Sequence, residues 1–276
     1  MGLSRAVCDL RDAEATRAAI AAARPAVVYH LAARAHVGES WNDPHGTLDD
    51  NLAMTLNVLE AVRHEAPGAT VVAVASGEVY GTPERLPVDE SAPLRPQNPY
   101  AVSKAAADLL AGMYADAHGL RVIRARAFNH AGPGQEPTYA IASFARQAAQ
   151  GADRIVTGNP DARRDYTDVR DVVRAYRLLA ERAGPGVYNV CSGRSASTAE
   201  LVAMLGVEHV VDPELLRPHE VMELRGSYER LRAATGWEPE IPLADTLRDT
   251  VRWWRDEPEP ARTAAPRPEH GRPRRS

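Results

Sequence analysis

Residues 70–75, Thr70 to Ala75, read TVVAVA, an apolar run that a serine and a glycine bring to an end. A strand with one wet face alternates polar and apolar side chains, whereas an unbroken Val/Ala run suits a strand covered on both faces, as in a parallel sheet between two layers of helices. Similar runs lie outward from it: Ala26 to Leu31 (AVVYHL), Val122 to Ala127 (VIRARA), Arg154 to Thr157 and Val187 to Val190. Longer stretches with helical spacing separate them, at Ala13 to Ala23, Leu48 to His64, Pro99 to His118, Tyr139 to Gln150 and Val169 to Ala183. Strands alternating with helices predict an α/β class with a doubly wound parallel sheet. After Ser192 the elements shorten into a smaller C-terminal lobe. From about Asp256 the proline- and charge-rich DEPEPARTAAPRPEHGRPRRS has little to bury and reads as a disordered tail.

Composition narrows the function classes. The chain has 276 residues, 44% hydrophobic and 25% charged, and its 33 basic side chains are balanced by 37 acids for a net charge of −4. That balance argues against a nucleic-acid partner. No run reaches the ~20 apolar residues of a bilayer span, and the N-terminus lacks the plan of a signal peptide. Cys8 and Cys191, the two cysteines, fit no metal or redox spacing and lie in strand-like stretches. Both are expected to be buried core thiols in a reducing cytoplasm. His30 and His130 lack a supporting ligand pattern, so they are assigned to core or supporting positions and no metal is expected.

The chemistry concentrates in NPYAVSKAAADLL, Asn98 to Leu110, which holds Lys104, the only lysine of the chain. Asn98 can cap a helix and Pro99 can take its first position, so Tyr100 and Lys104 fall one turn apart on one face. An ammonium beside a phenol stabilises phenolate, which predicts a Tyr100 pKa lowered from its ordinary value of about 10 toward neutrality. Such a tyrosine can exchange a proton with a substrate hydroxyl or carbonyl. A compact ammonium can also donate to ribose hydroxyls, a task the broad guanidinium fork does less well.

With these residues in place, the chain resembles the extended short-chain dehydrogenase/reductase family, in its nucleotide-sugar epimerase/dehydratase branch, from about Asp9 to Trp254. The resemblance rests on Asp9-Leu10, HLAA at His30 to Ala33, SGEVYG at Ser76 to Gly81, YAVSK at Tyr100 to Lys104 and FNHAGPGQ at Phe128 to Gln135. It continues in RRDYTDVRDVVRAY from Arg163, VYNVCSG from Val187, LRPHEV from Leu216 and TGWEPEIPLADTL from Thr235. Within the branch, FNHAGPGQ and YNVCSG look most like GDP-4-keto-6-deoxymannose reductases and GDP-mannose 4,6-dehydratases.

The resemblance implies a Rossmann-like core over residues 1–128, a mainly substrate-binding lobe over 129–255 whose strands partly return to the core sheet, and the tail over 256–276. It implies NADP or NAD as cofactor, bound by Asp9, Leu10, Leu31, Ala32, Ala33, Tyr100 and Lys104. Tyr100 would handle the proton at the sugar C4 oxygen, Ser76 would hydrogen-bond that oxygen, and Lys104 would hold the nicotinamide ribose. Glu78 matches the glutamate that serves 4,6-dehydratases as the base at C5, so reduction and dehydration both stay open, with 4-epimerisation behind them. Gly77 lacks the second carboxylate of the dTDP-glucose dehydratases. A GDP-linked sugar would meet Asn129 at its pyrophosphate, with Arg164 or Arg217 neutralising it, and Glu220 at a ribose, and pairing through the Tyr-Lys helices would make a homodimer.

One departure stands out. The chain opens MGLSRAVCDLRD and matches the family only from its third strand onward, without the glycine-rich turn that holds a dinucleotide pyrophosphate. The expectation is a core truncated at its N-terminus, with an Ala6 to Asp9 strand parted from the Ala26 to Leu31 strand, an exposed apolar edge, and weak dinucleotide binding. An inactive nucleotide-sugar-binding relative is the corresponding alternative.

Overall fold

The structure, a computed structural model, describes residues 7–216 and 220–256. Helix α1 (Ala13–Ala23) leads to strand β1 (Val27–His30). Helices α2 (Val37–Asn42) and α3 (Pro44–Glu65) precede β2 (Thr70–Ser76), which runs into a 3-10 turn at Gly77–Tyr80. Helix α4 (Pro99–His118) feeds β3 (Arg121–Ala127), after which come β4 (Asn129–Ala131), α5 (Ala140–Ala149), β5 (Arg154–Thr157) and β6 (Arg163–Asp168). Helix α6 (Val169–Arg182) and β7 (Gly186–Val190) follow, then β8 (Ser195–Ser197), α7 (Thr198–Met204), β9 (Glu208–Val211), β10 (Glu223–Leu224), α8 (Glu229–Thr235) and α9 (Leu243–Asp256).

The core is a parallel sheet in the order β1-β2-β3-β7. Alternation along its strands splits the apolar side chains between two layers. Val71 and Ala73 of β2 and Val122 of β3 pack with Val58, Leu59 and Val62 of α3 and Ala111 and Tyr114 of α4. Val72, Ile123, Ala125 and Ala127 meet Val172, Ala175, Tyr176 and Leu179 of α6, with Leu231 and Trp237 behind them. The α6 residues are spaced as one helical face should be. Side chains such as Leu59, Ile123 and Leu179 are almost wholly buried, each contributing about 2–3 kcal/mol of transfer free energy.

A second layer sits over the carboxyl ends of these strands. Strand β6 pairs with β10, β4 and β8, and Ile141, Leu201 and Leu247 fill the space beneath. Asp165 of β6 ties the layer to the core. Its carboxylate accepts from the backbone N–H groups of Ser192, Gly193 and Gly226 and from the Ser192 hydroxyl. Burial raises the Asp165 pKa to about 6 against these hydrogen bonds.

Three details differ from the sequence reading. Arg154–Thr157 is a strand, but it pairs with β9 in a separate two-stranded sheet. The predicted Ala6 to Asp9 strand does not form over residues 7–9, while Ala6 lies outside the described residues. Asp9 turns directly into α1, its carbonyl accepting from Asp12 N, and Val7 is exposed. Cys8 is consequently half-buried with its Sγ near Thr16 Oγ1, whereas Cys191 is fully buried just after β7. Among the described residues β1 has a partner on one side only, and Tyr29 and Leu31 there are 40% and 60% exposed.

Candidate active site

The carboxyl ends of β1, β2 and β3 open into a cavity of about 990 Å³ roofed by the second layer. Open α/β sheets bind their ligands at this end. Ser76, Glu78, Tyr100 and Lys104 all line it, together with Leu31, Ala33 and Asn129.

Local sequence explains their convergence. Ser76 closes β2, and its Oγ accepts from Glu78 N at 3.2 Å, starting the 3-10 turn that carries Glu78. The turn presses against Phe128: a Cβ on Gly77 would lie 3.0 Å from that ring. A side chain at position 77 would require that ring to shift. Asn98 caps α4 by accepting from Ala101 N at 2.7 Å, while its amide nitrogen donates to Glu78 Oε2 at 3.3 Å. One side chain thus fixes both the helix that bears Tyr100 and the carboxylate facing it.

The electrostatics correct one expectation. The Tyr100 pKa is pushed up to about 12 rather than lowered: burial dominates, the Ser76 hydroxyl pulls it back, and the Glu78 and Tyr139 charges add to the rise. The Lys104 ammonium donates to the Val74 carbonyl. Burial brings Lys104 itself down to about 8, opposed by Asp108. At neutral pH the phenol holds its proton, and a cation stands one turn away. An oxygen held between Ser76 and Tyr100 can accept that proton.

The other expected residues divide. Leu31, Ala33 and Asn129 are at the cavity, but Asp9, Leu10, Ala32, Arg164 and Glu220 are not among its lining. Asp9 is exposed and paired with Arg11 at 2.7 Å, and Leu10 packs on the cluster beneath α3. Arg164 Nη1 donates to the Val221 carbonyl at 2.6 Å, one residue after Glu220 in the stretch that leads into β10. Arg217 lies outside the described residues. Of the two histidines, His30 is buried with Nε2 3.2 Å from Thr55 Oγ1, while His130 is an exposed part of the cavity wall rather than a core residue.

Some lining residues were not expected. His36 caps α2 and reaches the Thr138 carbonyl and the Tyr139 ring, bridging the two lips of the cavity. Tyr176 of α6 and Gln135 leave buried oxygen atoms without a protein partner on the wall. Gln135 ends the FNHAGPGQ motif, so its motif was a usable signal. Tyr176 ends the RRDYTDVRDVVRAY motif in the same way, at a core position of an amphipathic helix, so that motif was a usable signal too.

The residues present fit the nicotinamide riboside end of NAD(P). An ammonium has three protons to donate, the Val74 carbonyl takes one, and Leu31, Ala33 and Val74 give an apolar wall beside it. Ribose hydroxyls can use the remainder.

The family model for GDP-mannose 4,6 dehydratase matches residues 3–250 of the chain. The chain belongs to that family. A GDP-6-deoxy-D-mannose reductase from Pseudomonas aeruginosa is 43% identical over 244 residues, covering 83% of this chain and 80% of the relative. Among solved structures, RMD from Pseudomonas aeruginosa complexed with NADPH superposes with a TM-score of 0.84 at 38% identity, over 92% of this chain and 89% of that one. A UDP-glucose 4-epimerase from Thermus thermophilus in complex with NAD gives 0.82 at 33% identity, over 90% and 83%. The family and these neighbours share the parallel α/β fold. No helix among the described residues is long and apolar enough to cross a membrane.

Proposed function

We propose that this protein is a GDP-4-keto-6-deoxymannose 4-reductase. What carries the reading is the meeting of Ser76, Tyr100 and Lys104 on one cavity, in a chain 43% identical to a GDP-6-deoxy-D-mannose reductase. NADPH or NADH bound beside Tyr100 would supply the hydride for C4. Ser76 Oγ donates a hydrogen bond to the C4 oxygen, and Tyr100 gives that oxygen its proton. Lys104 holds the ribose hydroxyls and stabilises phenolate as it forms. Asn129 meets the pyrophosphate, and Arg164 with the Glu220 loop takes the nucleotide end. In this reading residues 1–128 serve the cofactor and 129–255 mainly the substrate, in a cytoplasmic enzyme. Homodimerisation would use the outer faces of α3 and α4, where Leu52, Leu56, Val102, Leu109 and Met113 are exposed.

Glu78 supports a second reading. It lines the same cavity with its carboxylate oriented by Asn98, as a base for a 4,6-dehydratase would need. The deciding experiment offers the protein GDP-4-keto-6-deoxymannose with NADPH or NADH, and separately GDP-mannose, following nicotinamide absorbance and product mass. Consumption of reduced cofactor with the keto sugar alone supports the reductase. Loss of water from GDP-mannose without net cofactor consumption would replace it with the dehydratase, and E78Q should then abolish that reaction.

A further inference from the structure

Behind Lys104, away from the cavity, lies a buried polar array that the reaction itself does not use. Asp108 is one helical turn further along α4, and its side chain is fully buried. Arg126 Nη2 donates to Asp108 Oδ2 at 2.7 Å, and Arg124 Nη1 approaches the same oxygen at 3.3 Å. Arg126 Nη1 also donates to the Tyr80 hydroxyl at 2.9 Å, its guanidinium lying over the Tyr80 ring. Tyr80 in turn donates to Asn189 Oδ1 of β7 at 2.7 Å. A void of about 10 Å³, no larger than a single water, is lined by His30, Thr55, Val74 and Asp108. Asp108 thus borders the same void as Val74, whose carbonyl accepts the Lys104 hydrogen bond.

We propose that Asp108 is a positioning residue for Lys104: clamped by Arg126 and Arg124, it fixes a negative charge behind the ammonium and ties α4 to the turn that bears Ser76 and Glu78.

A buried ammonium loses its proton readily unless an anion faces it. The groups around Lys104 can be sorted by charge. On α4 itself stand Tyr100 and Asp108, on β1 His30, on β2 Ser76 and the Val74 carbonyl, on β3 Arg124 and Arg126, and in the 3-10 turn Glu78 and Tyr80. His30, lowered to about 4, is neutral near pH 7, and Tyr80 and Tyr100, both raised to about 12, are neutral as well. Glu78 stands on the cavity side, so Asp108 is the carboxylate on the protein side of the ammonium. Two arginines share it, and their cations weaken its hold on Lys104. Removing the carboxylate and removing an arginine should consequently act in opposite directions.

The single lysine makes this measurable without substrate or cofactor. Lysine labelled with carbon-13 at Cε yields one side-chain resonance from the 276-residue chain, and its titration gives the Lys104 midpoint, expected near pH 8. In D108N the midpoint should fall by about one pH unit; in R124Q, at a partly exposed arginine, it should rise. An unchanged midpoint in folded D108N overturns the proposal, as does a fall or no change in R124Q. If D108N does not fold, the direction in R124Q decides alone. The proposal rests on Lys104 serving the reaction proposed above. The titration needs no turnover, however, so a wrong substrate assignment and a wrong role for Asp108 give different failures.

Discussion

Acid should expose the cost of burying His30. Its imidazole is 6% exposed, and burial, helped by the Lys104 charge, lowers its pKa from 6.5 to about 4. Between those values the unfolded chain binds a proton that the folded chain refuses, so stability falls as the pH drops through this window. Converted at about 1.4 kcal/mol per pH unit, the full gap is worth about 3 kcal/mol, of which about 2 kcal/mol is expressed between pH 7 and 4.5. Asp165 works the other way. Its pKa is raised from 3.8 to about 6, so the folded chain holds that proton more tightly and gains relative stability on acidification. The two slopes partly cancel in the native protein, and a difference between variants is needed to see either. H30Q keeps an amide within reach of Thr55 and removes the titration. Urea unfolding of both proteins from pH 7 to 4.5 should show the wild type losing about 2 kcal/mol more than H30Q over that range. A stability difference that stays constant with pH would refute the assignment of a buried, neutral His30.

Two further outcomes follow from the site and the surface. Y100F should lower kcat for the keto-sugar reduction by about 10²-fold or more while leaving the thermal unfolding midpoint nearly unchanged; retention of most of the activity would remove Tyr100 as the proton donor. Placing charge on the outer face of α4 with L109E and M113E should convert a dimer to a monomer in light scattering at micromolar concentration, and a wild-type chain that already runs as a monomer would remove the proposed pairing.

The elements that were legible in the sequence carry their own punctuation. Helix α1 spans the predicted Ala13 to Ala23 because Asp12 caps it, its carboxylate accepting from Glu14 N and Ala15 N. Helix α4 spans Pro99 to His118 between the Asn98 cap and Gly119, whose φ of 66° ends the helix in the left-handed region. Strand β6 was not legible: RRDYTD opens on three successive charged residues and carries no apolar run or alternation, and only its three neighbours and the backbone groups gathered by Asp165 make it a strand. The pairing of Tyr100 with Lys104 could be read from helical spacing. The direction of the Tyr100 pKa could not, because spacing registers the nearby cation and omits the burial that outweighs it. His36 stayed hidden for a related reason, since a cap position looks the same whether or not a cavity opens beside it.

Strand β7 lies beside β3 in the sheet, Ile123 facing Gly186, although β4, α5, β5, β6 and α6 separate them along the chain. A ribosome therefore releases the lining drawn from Asn129 to Arg177 before it releases the strand that completes the core. Asn189, the partner that fixes Tyr80 at the end of the Ser76–Glu78 turn, is on that late strand. Pairings so distant in sequence are slow to close. The turn that would hold the substrate's C4 oxygen thus receives its last anchor near the end of folding, and a nascent chain stopped before β7 would carry Tyr100 and Lys104 on a formed helix opposite a turn still free to move.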